Sequence, residues 1–176
     1  FPKMDNSIKQ LTDRDALWRA ELRDAIPAKE RTVLPRTHMN ELAPDYRITC
    51  NEEVAQGLTP AQALAEATRC LDCPDPGCVK GCPVGIDIPS FVKNIQRGNI
   101  DGAAKVLRLT SALPAVCGRV CPQERQCESK CVRGIKGEAV AIGRLERFVA
   151  DWYMANCDEM PEKPASNGKK IAVIGS

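Results

Sequence analysis

The chain has 176 residues, with 25 Lys and Arg against 23 Asp and Glu, and only 4% aromatic side chains. A charge so close to zero gives no electrostatic ground for a nucleic-acid or anionic-membrane partner, and no apolar run approaches the ~20 residues of a membrane span. So few aromatics leave a core of Leu, Ile, Val and Ala, or one completed by something other than amino acid.

The start, from Phe1, lacks an initiator Met and the apolar stretch of a signal peptide, and reads as a processed or engineered start of a cytoplasmic protein. Residues 1–45 are expected to form a helix and an irregular extension outside the main domain, free to dock a partner. The helix is expected over Leu11–Ile26. Thr12 would cap it with Asp15 three residues on, Leu17, Leu22, Ala25 and Ile26 would form its apolar stripe, and Pro27 would stop it. Residues 27–52 are broken by Pro27, Pro35 and Pro44, so only Tyr46–Thr49 reads as extended. The single histidine, His38, reads as a surface residue.

The main domain is expected over 46–158. Thr59, Pro60 and Gln62 form a capping-box signature for a helix that delivers Cys70 near its end. Pro89 opens another helix, ended by Gly98. Ile100–Leu113 is a third, with Ala103, Val106, Leu107 and Leu109 apolar. Glu138–Cys157 is a long one, with Ile142, Leu145, Val149 and Trp152 on one stripe. No period-2 strand is evident before residue 170, so the fold class is all-α, a small helical domain wrapped round buried cofactors. Residues 159–169 are polar and Pro-rich, a linker. Residues 170–176 read as the truncated first strand of a dinucleotide-binding domain, cut at Gly175, the first glycine of a G-x-G-x-x-G turn and hence a cofactor-binding candidate.

Ten cysteines with no secretory signal point to metal or redox chemistry rather than to a disulfide scaffold. Eight fall in two ladders: Cys70-x2-Cys73-x4-Cys78-x3-Cys82-Pro83 and Cys117-x3-Cys121-Pro122-x5-Cys127-x3-Cys131. Such runs suit a pair of [4Fe–4S] clusters, whose cubes take four thiolates each, and a Cys-Pro ending marks a cysteine that crosses to the other cluster. Interleaved ligation follows. Cys70, Cys73 and Cys78 would share one cube with a late cysteine such as Cys131, and Cys82 would join Cys121 and Cys127 on the other. The rival is a zinc-stabilised interaction module, for which Cys70-x2-Cys73 would serve but the remaining spacings fit poorly. Cys50 and Cys157 fall outside both ladders and read as buried packing residues.

The motifs RCLDC, GCPVGIDIP, LPAVCGRVCPQERQCESKC, AVAIGRLERF and GKKIAVIG occur in that order. Together they resemble the N-terminal region of the glutamate synthase small (beta) subunit, a module that also begins dihydropyrimidine dehydrogenase and the large subunit of bifurcating ferredoxin:NADP oxidoreductases. The resemblance covers residues 40–176. It implies a helical domain with two [4Fe–4S] clusters, ahead of FAD- and NAD(P)H-binding domains. This domain would carry electrons from FAD to a partner, the large (alpha) subunit of glutamate synthase or an equivalent acceptor, with no hydride chemistry of its own. The resemblance also implies ligands. In the pyrimidine enzyme a glutamine on the helix after the second ladder replaces a cysteine, and the matching position is Glu146. The position matching Cys117 is not a ligand there. Carried over, one cluster takes Cys70, Cys73, Cys78 and Cys131, and the other takes Cys82, Cys121, Cys127 and Glu146.

Overall fold

Proline and capping side chains punctuate the chain into short helices. The structure, a computed structural model, describes residues 6–157, 165–172 and 174–175. In chain order it contains α1 (Asn6–Thr12), α2 (Leu17–Ala25), α3 (Ala28–Val33), β1 (Asn40–Glu41), α4 (Pro44–Arg47), β2 (Ala55–Gly57), α5 (Pro60–Thr68) and α6 (Gly77–Lys80). Then come α7 (Ile88–Gln96), α8 (Ile100–Arg108), α9 (Pro114–Val120) and α10 (Ile142–Asn156), with three 3-10 turns at Gln123–Arg125, Glu128–Lys130 and Val132–Ile135 before α10. The expected capping box of α5 is present: the Gln62 N–H donates to Thr59 Oγ1, and the Thr59 N–H donates to Gln62 Oε1. Helix α7 is capped by Asp87, whose carboxylate accepts from the Ser90 N–H, and it ends at Gly98 with φ +79°.

The core sits where α5, α7, α8 and α10 meet. Phe91, Val92 and Ile95 of α7 pack with Val106 and Leu107 of α8 and Leu145 and Val149 of α10. None of these is more than 2% exposed. Burying such side chains stabilises by about 1.5–3 kcal/mol each. No helix of the described residues is long and apolar enough to cross a membrane.

Several sequence expectations are corrected. The helix expected over Leu11–Ile26 is two helices. Thr12 ends the first, its hydroxyl donating to the Ile8 carbonyl, instead of capping the second. The stripe expected on α2 is not its buried face, since Leu17 is 76% exposed and Arg19 is 2% exposed. Tyr46 and Arg47 are helical, not extended. The chain is not wholly helical before residue 170, because β1 and β2 form an antiparallel ribbon with Asn40 opposite Gly57. Helix α9 was not expected, α8 stops at Arg108, and α10 begins at Ile142.

At the C-terminal end, Ile171 and Ile174 are 88% and 97% exposed, and the described residues there form no strand. An isolated strand has no neighbour for its backbone groups. Val173, Ser176 and residues 158–164, which include most of the expected linker, lie outside the described residues.

Helix α9 lies directly on α10 at Gly118, where an added Cβ would meet the Arg147 backbone N at 2.6 Å and Cα at 2.8 Å. Backbone cannot swing aside as a side chain can, so Gly118→Ala is expected to force the helices apart. The expected loss is about 1–3 kcal/mol in denaturant unfolding. Gly134→Ala, where the nearest atom is 3.7 Å away, is the matched control and should stay near wild type.

Candidate metal centre

The first group of thiols is gathered by loop geometry. Helix α5 ends at Arg69, and the Cys70 N–H donates to the Ala67 carbonyl, so Cys70 leaves the helix in a tight turn. Asp72 then adopts φ +54°, a left-handed conformation that costs an L-residue roughly 1–2 kcal/mol, before Cys73. Pro76 leads into α6, which carries Cys78. Cys131 arrives from the far ladder, between two 3-10 turns. The sulfur-bearing residues Cys70, Cys73, Cys78 and Cys131 line one pocket, with Leu71 and Pro76 among its walls.

Burial pushes the Cys70, Cys73 and Cys78 thiols up, and the charge of neighbouring thiols adds to it. At Cys70 the Lys93 ammonium opposes this. Lys93 is fully buried, and its Nζ donates to the Cys70 carbonyl at 2.8 Å and to Gln96 Oε1 at 2.7 Å. Burial pulls it down to about 8. Arg31 also reaches the Cys70 carbonyl, and donates to the Thr68 carbonyl beside it. Thiols held protonated in this way must release protons to bind metal.

The second group takes one residue from the first ladder. Cys82 follows α6, Cys121 ends α9, Cys127 lies buried between 3-10 turns, and Glu146 projects from α10. Their charges act on one another. Burial first, then the charges of Cys117, Glu146 and Cys82, push the Cys121 thiol up to about 11. Burial first, then Glu128, Cys82 and Glu146, push Cys127 up to about 12. Burial raises the Glu146 carboxyl to about 7. Glu146 is 6% exposed and its Oε1 has no hydrogen-bond partner among the described residues. A buried acceptor left so costs about 1–3 kcal/mol. By contrast the neighbouring Glu128 is bonded to Arg36 and to the Gly143 N–H.

Cys117 also lies here, one turn before Cys121 on α9, and its charge and hydrogen bonding add to the upward push on the Cys121 thiol. Cys50 and Cys157 join neither group and are half-buried. His38 is exposed, as expected. Gly175 has φ +88°, and nothing among the described residues lies within 4 Å of where its Cβ would be. Among the described residues no three His, Cys, Asp or Glu side chains converge tightly enough to share a single metal ion. A cube does not ask for that convergence, because its ligands sit on separate irons, whereas tetrahedral zinc holds each sulfur about 2.3 Å away.

Sequence reasoning missed the polar shell. Asp72 sits inside the Cys70-x2-Cys73 spacing, and Lys93 interrupts the apolar run of α7. That interruption was the available signal, since a lysine among Phe91, Val92 and Ile95 is buried only where it has acceptors.

A family model described as dihydropyrimidine dehydrogenase domain II, 4Fe-4S cluster, matches residues 47–158. The NAD-dependent dihydropyrimidine dehydrogenase subunit PreT of Escherichia coli O157:H7 is 39% identical over 125 residues, covering 71% of this chain and 30% of that protein. The glutamate synthase [NADPH] small chain of Escherichia coli K12 is 40% identical over 129 residues, covering 70% of this chain and 26% of that protein. The corresponding small chain of Halomonas elongata is 40% identical over 126 residues, with the same two shares, 70% and 26%. The chain thus spans less than a third of the length of these relatives. With the match taking in both cysteine ladders and Glu146, the chain belongs to the family of dihydropyrimidine dehydrogenase domain II, a 4Fe-4S cluster domain.

Proposed function

We propose that the chain is an electron-transfer domain holding two [4Fe–4S] clusters, one on Cys70, Cys73, Cys78 and Cys131 and one on Cys82, Cys121, Cys127 and Glu146. The observation that carries this is the exchange between ladders: Cys131 lines the pocket of Cys70, Cys73 and Cys78, while Cys82 acts on Cys121 and Cys127. The donor chemistry fits, with seven thiols in two groups and one buried carboxylate oxygen without a hydrogen-bond partner among the described residues. When bound, such clusters pass single electrons at potentials set by ligand type, nearby charge, hydrogen bonds to sulfur and exposure.

The residues of this chain bind, orient and shield. Lys93 and Arg31 place positive charge and donors at the Cys70 carbonyl, and helices α7 and α10 close the apolar side. The parent protein in this proposal is an NAD(P)H-dependent oxidoreductase with FAD, and the electrons pass to the large subunit of a glutamate synthase or an equivalent acceptor. The 40% identity to two glutamate synthase small chains supports that parent. The 39% identity to PreT supports a pyrimidine-reducing parent as the second reading.

Anaerobically purified protein is expected to be brown, with about eight iron and about eight acid-labile sulfide per chain. A colourless chain that takes zinc and no sulfide, even after anaerobic reconstitution, would overturn the proposal. Glu146→Ala is expected to lose iron and Cys117→Ala to keep it. Loss in Cys117→Ala alone would move the eighth ligand to Cys117.

A further inference from the structure

The left-handed residue in the first ladder is held from outside the region that defines the family. Asp72 is fully buried, and both carboxylate oxygens are engaged by arginines of the N-terminal helices. Arg19 Nε and Nη2 donate to Oδ1 at 3.1 and 2.6 Å, and Arg23 Nη1 donates to Oδ2 at 2.8 Å. The Asp72 carbonyl accepts from Arg14 Nε and Nη2, at 3.3 and 3.1 Å. Arg19 is itself pinned, its Nη1 donating to Ser90 Oγ of α7 at 2.8 Å and to the Thr12 carbonyl. Three arginines from residues 14–23 thus converge on one residue between two cysteines, while the family match begins at residue 47. Asp72 lies between Cys70 and Cys73 in the chain, so the conformation at 72 decides how those two residues are spaced.

We propose that Arg19, acting through Asp72, is a positioning residue of the first thiol group, and that residues 6–36 form a clamp belonging to that site. The clamp holds residue 72 left-handed, which sets the separation of Cys70 and Cys73. Further along, Arg31 reaches the Cys70 carbonyl and Arg36 bonds Glu128, so the same segment spans both ladders. This segment thereby makes contacts deep inside the domain. This inference rests on the two-cluster reading for its iron readout.

The test compares two double variants, Arg19→Leu/Asp72→Gly and Arg19→Leu/Asp72→Ala. Both abolish the ion pair, but only glycine adopts positive φ without steric cost. The glycine variant is expected to keep about eight iron per chain, and the alanine variant about four, with the EPR signal of the second cube unchanged in both. That retained signal reports a folded chain. Amide hydrogen exchange over residues 70–73 needs no metal. It is expected to be slow in wild type and in the glycine variant, and at least tenfold faster in the alanine variant. Equal iron and equal exchange in the two variants would overturn the clamp, as would loss of both cubes in the alanine variant. Wild type lacking two cubes would instead refute the ligand reading, and the exchange comparison would still decide the clamp.

Discussion

Cys82→Ala is expected to remove the cluster of the second site and leave that of the first, although Cys82 closes the first ladder in sequence. Iron should fall from about eight to about four per chain, and the EPR signal of the Cys70 site should persist. Cys131→Ala should do the reverse, stripping the first site although its residue ends the second ladder. The ground is spatial. Cys131 lines the pocket with Cys70, Cys73 and Cys78. Cys82 acts on the thiols of Cys121 and Cys127, alongside Glu146. Gly81 ends α6 and Pro83 cannot continue a helix, so Cys82 leaves the helix that carries Cys78. If each ladder closed its own site, Cys82→Ala would instead erase the signal of the Cys70 site and leave the other.

The two cysteine ladders were legible because their spacing is local: short x2, x3 and x4 intervals and two Cys-Pro endings sit in the sequence itself. The α5 capping box and the Gly98 stop were legible for the same reason, each being complete within a few residues. What was hidden was set by distant partners. Hydrophobic periodicity treats Arg19 as a solvent-facing residue, yet it lies 53 residues from its carboxylate and is buried against it. The β1–β2 ribbon joins Asn40 to Gly57 across a stretch broken by Pro44, and alternation over two or three residues cannot be read. Helix α9 was concealed at the start of the second ladder, where seven residues are too few for a clear apolar period. The resemblance singled out Glu146, and the structure adds a buried carboxylate oxygen without a partner among the described residues.

Glu66→Ala is expected to destabilise the domain by about 3–5 kcal/mol, the cost of leaving a buried charge uncompensated. Its carboxylate is fully buried. One oxygen accepts from Arg69 Nη1 at 2.5 Å and from the Ala141 N–H at 2.7 Å, and the other accepts from the Thr37 N–H at 2.7 Å. Arg69, 1% exposed, donates onward to the carbonyls of Leu34, Glu138 and Ala139. Glu66 and Arg69 therefore tie three stretches of chain together: α5, the segment at 34–37, and the approach to α10. A total stability of about 5–15 kcal/mol makes that loss a large fraction of the whole. Glu66→Gln keeps one acceptor and loses the charge, so its loss should be smaller than that of the alanine variant. Glu66→Leu/Arg69→Leu removes both charges and should cost less than the sum of the two single variants, the coupling being read from a double-mutant cycle in denaturant unfolding. Additive single effects would show that the pair does not act as a unit. Because Cys70 directly follows Arg69, and Glu146 lies five residues beyond Ala141, loosening this junction should also lower iron retention at both sites.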